Sequence, residues 1–153
     1  MKLAVGSDER THVTDWIVED LRSRGMEVDL HGALKPGADS RWPEVARSVA
    51  WDVAGGRCDQ GILFCWTGTG VSIAANKVPG IRAALCTDAG TAKGARMWND
   101  ANILCMSLRL ASQEVIREIL DSWYATTEID ESERENIQQI NHMWDVNVVE
   151  VLD

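Results

Sequence analysis

The sequence predicts an α/β fold built on a parallel sheet of five strands with helices on both faces. Three observations predict it. Short apolar runs alternate with amphipathic helical segments five times along the chain, the pattern of repeated strand–helix units. Each apolar run stops at a loop rich in glycine or polar residues. The run Gly61-Ile62-Leu63-Phe64-Cys65 is apolar without alternation, as a central strand covered on both sides must be.

Taken in order, Leu3-Ala4-Val5 is a first strand stopped by Gly6-Ser7-Asp8. Val13, Trp16, Ile17, Val18 and Leu21 recur at helical spacing, and Gly25 closes that helix. Residues 26–30 alternate like a strand, and 32–40, with Pro36-Gly37, form a loop. Pro43 suits a first helical position, and Val45, Val49, Trp51 and Val53 carry a helix to Gly55-Gly56. The strand 61–65 runs into a glycine loop at 66–70 and a helix over 71–76. Strand 81–86, helix 88–97, strand 103–106 and an amphipathic helix over 113–124 follow. A last helix over 129–142 is polar at its start. No repeat or linker interrupts the pattern, so residues 1–153 read as one domain. In such sheets ligands bind at the carboxyl ends of the strands. That places Ser7-Asp8, 65–70, Asp88 and Arg109 on one rim.

Composition narrows the function. With 15 basic and 24 acidic residues the net charge is 15 − 24 = −9, against a nucleic-acid groove or an anionic membrane as partner. No apolar run approaches the roughly 20 residues of a membrane span, and Asp8 comes too early for a signal peptide. Cys58, Cys65, Cys86 and Cys105 lie far apart with no C-x-x-C pair and no nearby Cys/His set, so a structural zinc site is not expected, and the thiols point to the cytoplasm.

The stretch Cys65-Trp66-Thr67-Gly68-Thr69-Gly70-Val71-Ser72 is the most informative. A strand ends on a thiol, two glycines let backbone approach a ligand, and a helix starts at once. Amides at such a helix start attract an anion, and the same field favours a nearby thiolate. One loop therefore equips the chain to remove a proton beside a carbonyl, with Cys65 as base and the amides near Gly68 to Ser72 as oxyanion hole. A dinucleotide-binding loop is the rival reading. Its third glycine would fall at Ile73, which weakens it, although Asp88 lies about 20 residues on, where a ribose-binding acid sits. Cys58, Cys86 and Cys105 read as buried small hydrophobes.

Longer matches carry a family resemblance. Ala4-Val5-Gly6-Ser7-Asp8, the strand 61–65, Thr67-Gly68-Thr69-Gly70-Val71-Ser72-Ile73-Ala74-Ala75-Asn76-Lys77, Val78-Pro79-Gly80-Ile81-Arg82-Ala83-Ala84-Leu85-Cys86 and Asn99-Asp100-Ala101-Asn102-Ile103-Leu104 resemble the type B ribose-5-phosphate isomerases and galactose-6-phosphate isomerase subunits. The resemblance implies a Rossmann-like three-layer fold, a C-terminal helix reaching a partner subunit, and a homodimer, or a tetramer, with sites at the subunit interface. It implies metal-free aldose–ketose isomerisation of a sugar phosphate through an enediolate. Carried over by position, Cys65 is the proton-transfer base with Thr67 beside it. Gly68, Thr69, Gly70, Val71 and Ser72 form the anion hole, Asp8 and Asn99 bind sugar hydroxyls, and Arg109 binds phosphate.

Three departures alter that expectation. Glu9-Arg10-Thr11 stands where the family carries His-x-Gly, Trp98 replaces its ring-opening histidine, and Asp130-Glu131-Ser132-Glu133 replaces a Gly-Gly-Arg-His segment, with Arg134 displaced behind it. The expected substrate is thus altered. It is either a tetrose phosphate, which cannot close a furanose and which Glu9, Arg10 and Arg134 would help to hold, or another polar hydroxy-carbonyl compound stacked on Trp66 and Trp98. A non-catalytic sugar- or anion-binding homologue is the alternative, and a thiol redox sensor ranks below both. Of the seven tryptophans, Trp16, Trp51 and Trp123 are expected in the core. His12 and His31 read as partly exposed bystanders. The apolar segment 146–152 is expected to pack on another surface.

Overall fold

The structure, a computed structural model, describes residues 1–143; the expected packing of 146–152 lies outside the described residues. In chain order the elements are β1 (Lys2–Ser7), α1 (His12–Ser23), β2 (Glu27–Gly32), α2 (Trp42–Ala54), β3 (Gln60–Cys65), α3 (Thr69–Ala75), β4 (Ala83–Leu85), α4 (Ala89–Asn99), β5 (Ile103–Ser107) and α5 (Gln113–Ala125). A 3₁₀ turn at Glu131–Glu133 and α6 (Arg134–Asn141) follow. The expected α/β architecture is present. All strand pairs are parallel, in the order β2-β1-β3-β5-β4.

Two apolar layers hold the helices to the sheet. On one face Val13, Ile17 and Leu21 of α1, Ala92 and Ala95 of α4, and Ile116, Ile119, Leu120 and Trp123 of α5 cover Leu3, Val5, Ile62, Phe64, Leu104 and Met106. On the other, Val45, Ala46, Val49 and Ala50 of α2 and Val71 and Ala75 of α3 cover Ala4, Leu63, Cys65, Ile103 and Cys105. The central strands therefore bury both faces, which is why their sequences are apolar throughout. Helix ends are capped locally. Thr11 and Thr14 exchange side chain–backbone bonds at the start of α1, and Ser112 accepts the Val115 N–H at the start of α5.

Several details depart from the sequence reading. β4 is shorter than the expected 81–86, because the Arg82 N–H is taken by the Asn102 side chain at 2.8 Å. The Asn76 amide then pairs with both backbone groups of Ala83, at 2.8 Å each, and closes the free edge there. α3 begins at Thr69, two residues earlier than expected, and the last helix is divided by the 3₁₀ turn that Asp130 caps. Trp123 is buried, but Trp51 is 51% exposed, and Arg47 lies over its ring at 4.2 Å. His31 is partly exposed, as expected, and makes structural contacts. Its Nδ1 meets Ser48 Oγ at 3.1 Å and its Nε2 lies 3.1 Å from Asp52, which ties the end of β2 to α2.

Candidate active site

From β1 the chain turns to β2 on one side, while β3 lies on the other, so a crevice opens between the carboxyl ends of β1 and β3. Ser7 and Phe64 are paired in register, which sets Asp8 and Cys65 on adjacent strand ends. Asp8 Oδ1 is buried without a hydrogen-bond partner among the described residues. Burial pushes its carboxyl above the ordinary value, the charge of Glu9 adds to the shift, and backbone hydrogen bonding opposes it. The Ser7 hydroxyl donates to the Glu9 carbonyl at 2.6 Å and fixes the turn. Arg10 is drawn sideways to Asp15, at 2.7 Å, and lines a flanking cleft of about 370 Å³ with Arg22, Leu30 and Leu34.

Cys65 closes β3 beneath the glycine loop and is 5% exposed. Its carbonyl accepts the Leu108 N–H at 3.0 Å. The Trp66 carbonyl accepts the Arg109 N–H at 3.1 Å and the Ser107 hydroxyl at 2.8 Å, which straps the loop after β5 to the loop after β3. Trp66 and Arg109 are thereby neighbours on this rim, both exposed. Gly68 has φ +76°, and a Cβ there would stand 2.5 Å from Leu85 Cδ1 and 3.0 Å from the Met106 carbonyl. Only glycine lets the chain turn this close to β5.

The turn leaves the N–H groups of Thr69, Gly70 and Val71 at the head of α3, where no intrahelical acceptor exists. Ser72 differs from the expectation, because its N–H donates to the Gly68 carbonyl at 3.2 Å and is not free for an anion. Thr67 Oγ1 and Thr69 Oγ1 lie 2.6 Å apart. Sequence reasoning missed Trp42. Its ring lies against Gly70, whose Cβ would stand 3.2 Å from Trp42 Cε3, and it is 44% exposed beside the loop. No local signal connects positions 42 and 70; only the packing of α2 on α3 brings them together.

The remaining expected site residues lie elsewhere. α4 descends from Asp88 at the carboxyl rim to Asn99 at the amino rim, roughly 16 Å along its axis at 1.5 Å per residue. Trp98 folds back over Gly94, where a Cβ would stand 2.8 Å from its ring, and is 50% exposed. α5 also descends, and the chain beyond it meets the end of α4 where the Asp130 N–H donates to the Met97 carbonyl at 2.7 Å. Arg134 follows, held by Glu131 at 2.6 Å. One chain therefore gathers Asp8, Glu9, Cys65, Trp66, Thr67, the glycine loop and Arg109 on the carboxyl rim, and leaves Trp98, Asn99 and Arg134 on the amino rim.

Alternative chemistries find little support in the arrangement. Both Asp88 oxygens serve the first turn of α4. Oδ1 accepts the Thr91 N–H and Oδ2 the Thr91 hydroxyl, each at 2.8 Å, which holds the carboxyl below its usual range. Burial pushes the Cys86 thiol up to about 12 and the Cys58 thiol up to about 11, against reactivity at either. Cys105 shares the Cys65 face of the sheet, but Cys65 pairs with Ser107. The two Cα atoms are thus roughly 8 Å apart by strand spacing, beyond disulfide reach. Asp29, Asp52 and Cys58 bring one ligand atom each within 4.8 Å. There Lys2 Nζ sits 2.9 Å from Asp29 and Arg57 pairs with Asp52, so cations of the chain already hold both carboxylates. Among the described residues no helix is long and apolar enough to cross a membrane.

The Ribose/Galactose Isomerase family profile matches residues 3–140. Ribose-5-phosphate isomerase B of Escherichia coli is 41% identical over 123 residues, 80% of this chain and 82% of that protein. D-erythrulose-4-phosphate isomerase of Pectobacterium atrosepticum is 34% identical over 124 residues, 80% of this chain and 82% of that protein. The structure of ribose-5-phosphate isomerase B from Clostridium thermocellum superposes with a TM-score of 0.87 at 37% identity, covering 95% of this chain and 98% of that one.

Proposed function

The chain belongs to the ribose/galactose isomerase family, a family of sugar-phosphate isomerases, and we propose that it interconverts a small aldose phosphate and its ketose through a cysteine-initiated enediolate. Cys65, as thiolate, takes the proton from the carbon beside the carbonyl. The amides of Thr69, Gly70 and Val71 hold the oxygen on which charge develops, each worth about 2.7–4 kcal/mol when preorganised. Asp8 orients a sugar hydroxyl, and Arg109 pairs with the phosphate. The observation that carries the reading is the placement of Cys65 beside Asp8 at the β1/β3 crevice, under a loop whose leading amides lack acceptors.

A second copy of the chain completes the site in this reading. Trp98 and Asn99 of one copy's amino rim cover the carboxyl rim of the other and close the β1/β3 crevice over the substrate. Trp98 carries no group that titrates near neutrality, so it cannot open a sugar ring. The favoured substrate therefore arrives open, as a four-carbon ketose phosphate does, and a relative named for D-erythrulose 4-phosphate supports that choice. Free thiols suit a reducing compartment, the cytoplasm in this reading.

The test is deuterium incorporation from heavy water into erythrulose 4-phosphate and ribose 5-phosphate, with Cys65→Ala as control. The expected result is exchange and isomerisation of the tetrulose phosphate, with a loss of about 10³-fold or more in Cys65→Ala. Binding without exchange of any carbon-bound proton would instead support the non-catalytic reading, which the 5% exposure of Cys65 favours.

A further inference from the structure

The hydroxyl oxygens of Thr67 and Thr69 are 2.6 Å apart, within the range of a strong O–H···O bond. Among the described residues neither hydroxyl has another partner, and both residues are exposed on the carboxyl rim, just after Cys65. Local structure does not account for the pair. The residue before α3 is Gly68, and no side chain caps that helix, so the Thr69 hydroxyl serves no N-terminal amide. A hydroxyl pair that shares one hydrogen keeps a second hydrogen and several lone pairs for an outside partner.

Building on the isomerase reading, we propose that Thr67 and Thr69 form a two-hydroxyl relay that carries a proton between the two oxygens of the bound substrate, so that Thr69 is a catalytic residue. The chemistry needs such a step. When the Cys65 thiolate removes the proton from C2 of the aldose, the C–H electron pair becomes the C1=C2 bond and the carbonyl π pair moves to O1. The ketose then requires the O2 proton on O1. O2–H gives its proton to Thr67 Oγ1 while Thr67 gives its own to Thr69 Oγ1 and Thr69 gives its own to O1. An O2 lone pair forms C2=O2, and the C1=C2 pair takes the proton back from Cys65 at C1. Each hydroxyl ends with one proton, the thiol is again a thiolate, and no oxidant or reductant takes part. Two hydroxyl oxygens a hydrogen bond apart match the two oxygens on adjacent carbons of a cis-enediolate, so all three transfers span hydrogen-bond distances.

Thr69→Val keeps the shape of the side chain and removes its hydroxyl. The expected result is a fall in isomerisation kcat of about 10²-fold with little change in KM. Cys65 continues to exchange the substrate's carbon-bound proton with heavy water, so the ratio of exchange to isomerisation rises by the same factor. Thr69→Ser recovers most of the loss, and Thr67→Val/Thr69→Val falls little further than either single variant, because both residues serve one relay. An unchanged ratio in Thr69→Val overturns the relay. So does an equal loss of exchange and isomerisation in a folded variant, which would mark Thr69 as a loop-shaping residue. Absence of exchange and isomerisation in the unaltered protein overturns the isomerase reading itself, and so is distinct from either result.

Discussion

The two rims of the sheet carry polar groups in opposite conditions. On the carboxyl rim, among the described residues, Asp8 Oδ1 lacks a partner, the leading amides of α3 lack acceptors, and Arg109 makes no ion pair. On the amino rim Arg82 is bonded to Asp100 and Asn141, Asn76 to Ala83, Asn102 to Gly80 and Arg82, and Arg134 to Glu131. The amino rim also exposes the large apolar side chains Trp98, Ile140 and Met143, among polar neighbours such as Asn99, Glu135 and Gln139. Polar groups without partners are costly unless something else satisfies them, so their concentration marks a binding face. A face whose arginines are paired, and which exposes several large apolar side chains, is suited to packing. In the proposed dimer the site joins the two, one rim from each copy.

The sharpest way to break that pairing is complementation, where the expected effect is largest. Cys65→Ala destroys the carboxyl rim of a site, and Trp98→Ala/Asn99→Ala strips its amino rim. Each protein alone should be nearly inactive. When the two are mixed, dissociated and reassociated, random pairing leaves about a quarter of all sites with both rims intact, and activity returns in that proportion. If mixing restores nothing, each chain holds a complete site and the two rims act independently.

Much of this was legible in the sequence, and the reasons for the rest are physical. The strand–helix order and the glycine loop are local, written in periodicity and in residues that only certain turns accept. The division of site residues between rims is not local. Residues 88–97 read as a helix, but the fact that it carries Asn99 away from Cys65 depends on the direction in which the helix returns across the sheet. Trp51 shows the same limit on a smaller scale. It shares α2 with the buried Val45 and Val49, yet it lies about 200° around the helix from Val49, away from the sheet, and Arg47 stacks on it instead. Arg134 is visible as a cation near the expected position, whereas its capture by Glu131 requires the 3₁₀ turn between them.

Gly68→Ala sharpens the comparison within the carboxyl rim, with a smaller expected effect on the whole molecule. Holding a non-glycine residue at φ +76° costs about 1–3 kcal/mol. The added Cβ would also press on the Met106 carbonyl, which belongs to a central strand and cannot move freely. Denaturant melts should show that loss while isomerisation drops to near background, because the amides of Thr69 and Gly70 rotate with the turn. Full activity with normal stability would mean that the loop has an alternative path to the same geometry.

The smallest expected effect has the most informative sign. Asp8→Asn should impair catalysis and yet stabilise the fold at neutral pH. Burial raises the Asp8 pKa in the folded chain, so folding favours the protonated carboxyl. That contribution to stability is fully present below the unfolded value of about 3.9 and is lost as pH rises through the higher folded value. Above it, the ionised carboxylate opposes folding by an amount that solvent access holds below about 1 kcal/mol. The asparagine amide has no charge to desolvate at any pH. The melting temperature of Asp8→Asn should therefore exceed that of the unaltered protein at pH 7 to 8, with the gap closing below about pH 4. An opposite gap at neutral pH would mean that the Asp8 carboxylate is satisfied in solution, and the carboxyl rim would lose the unpaired acid that distinguishes it from the amino rim.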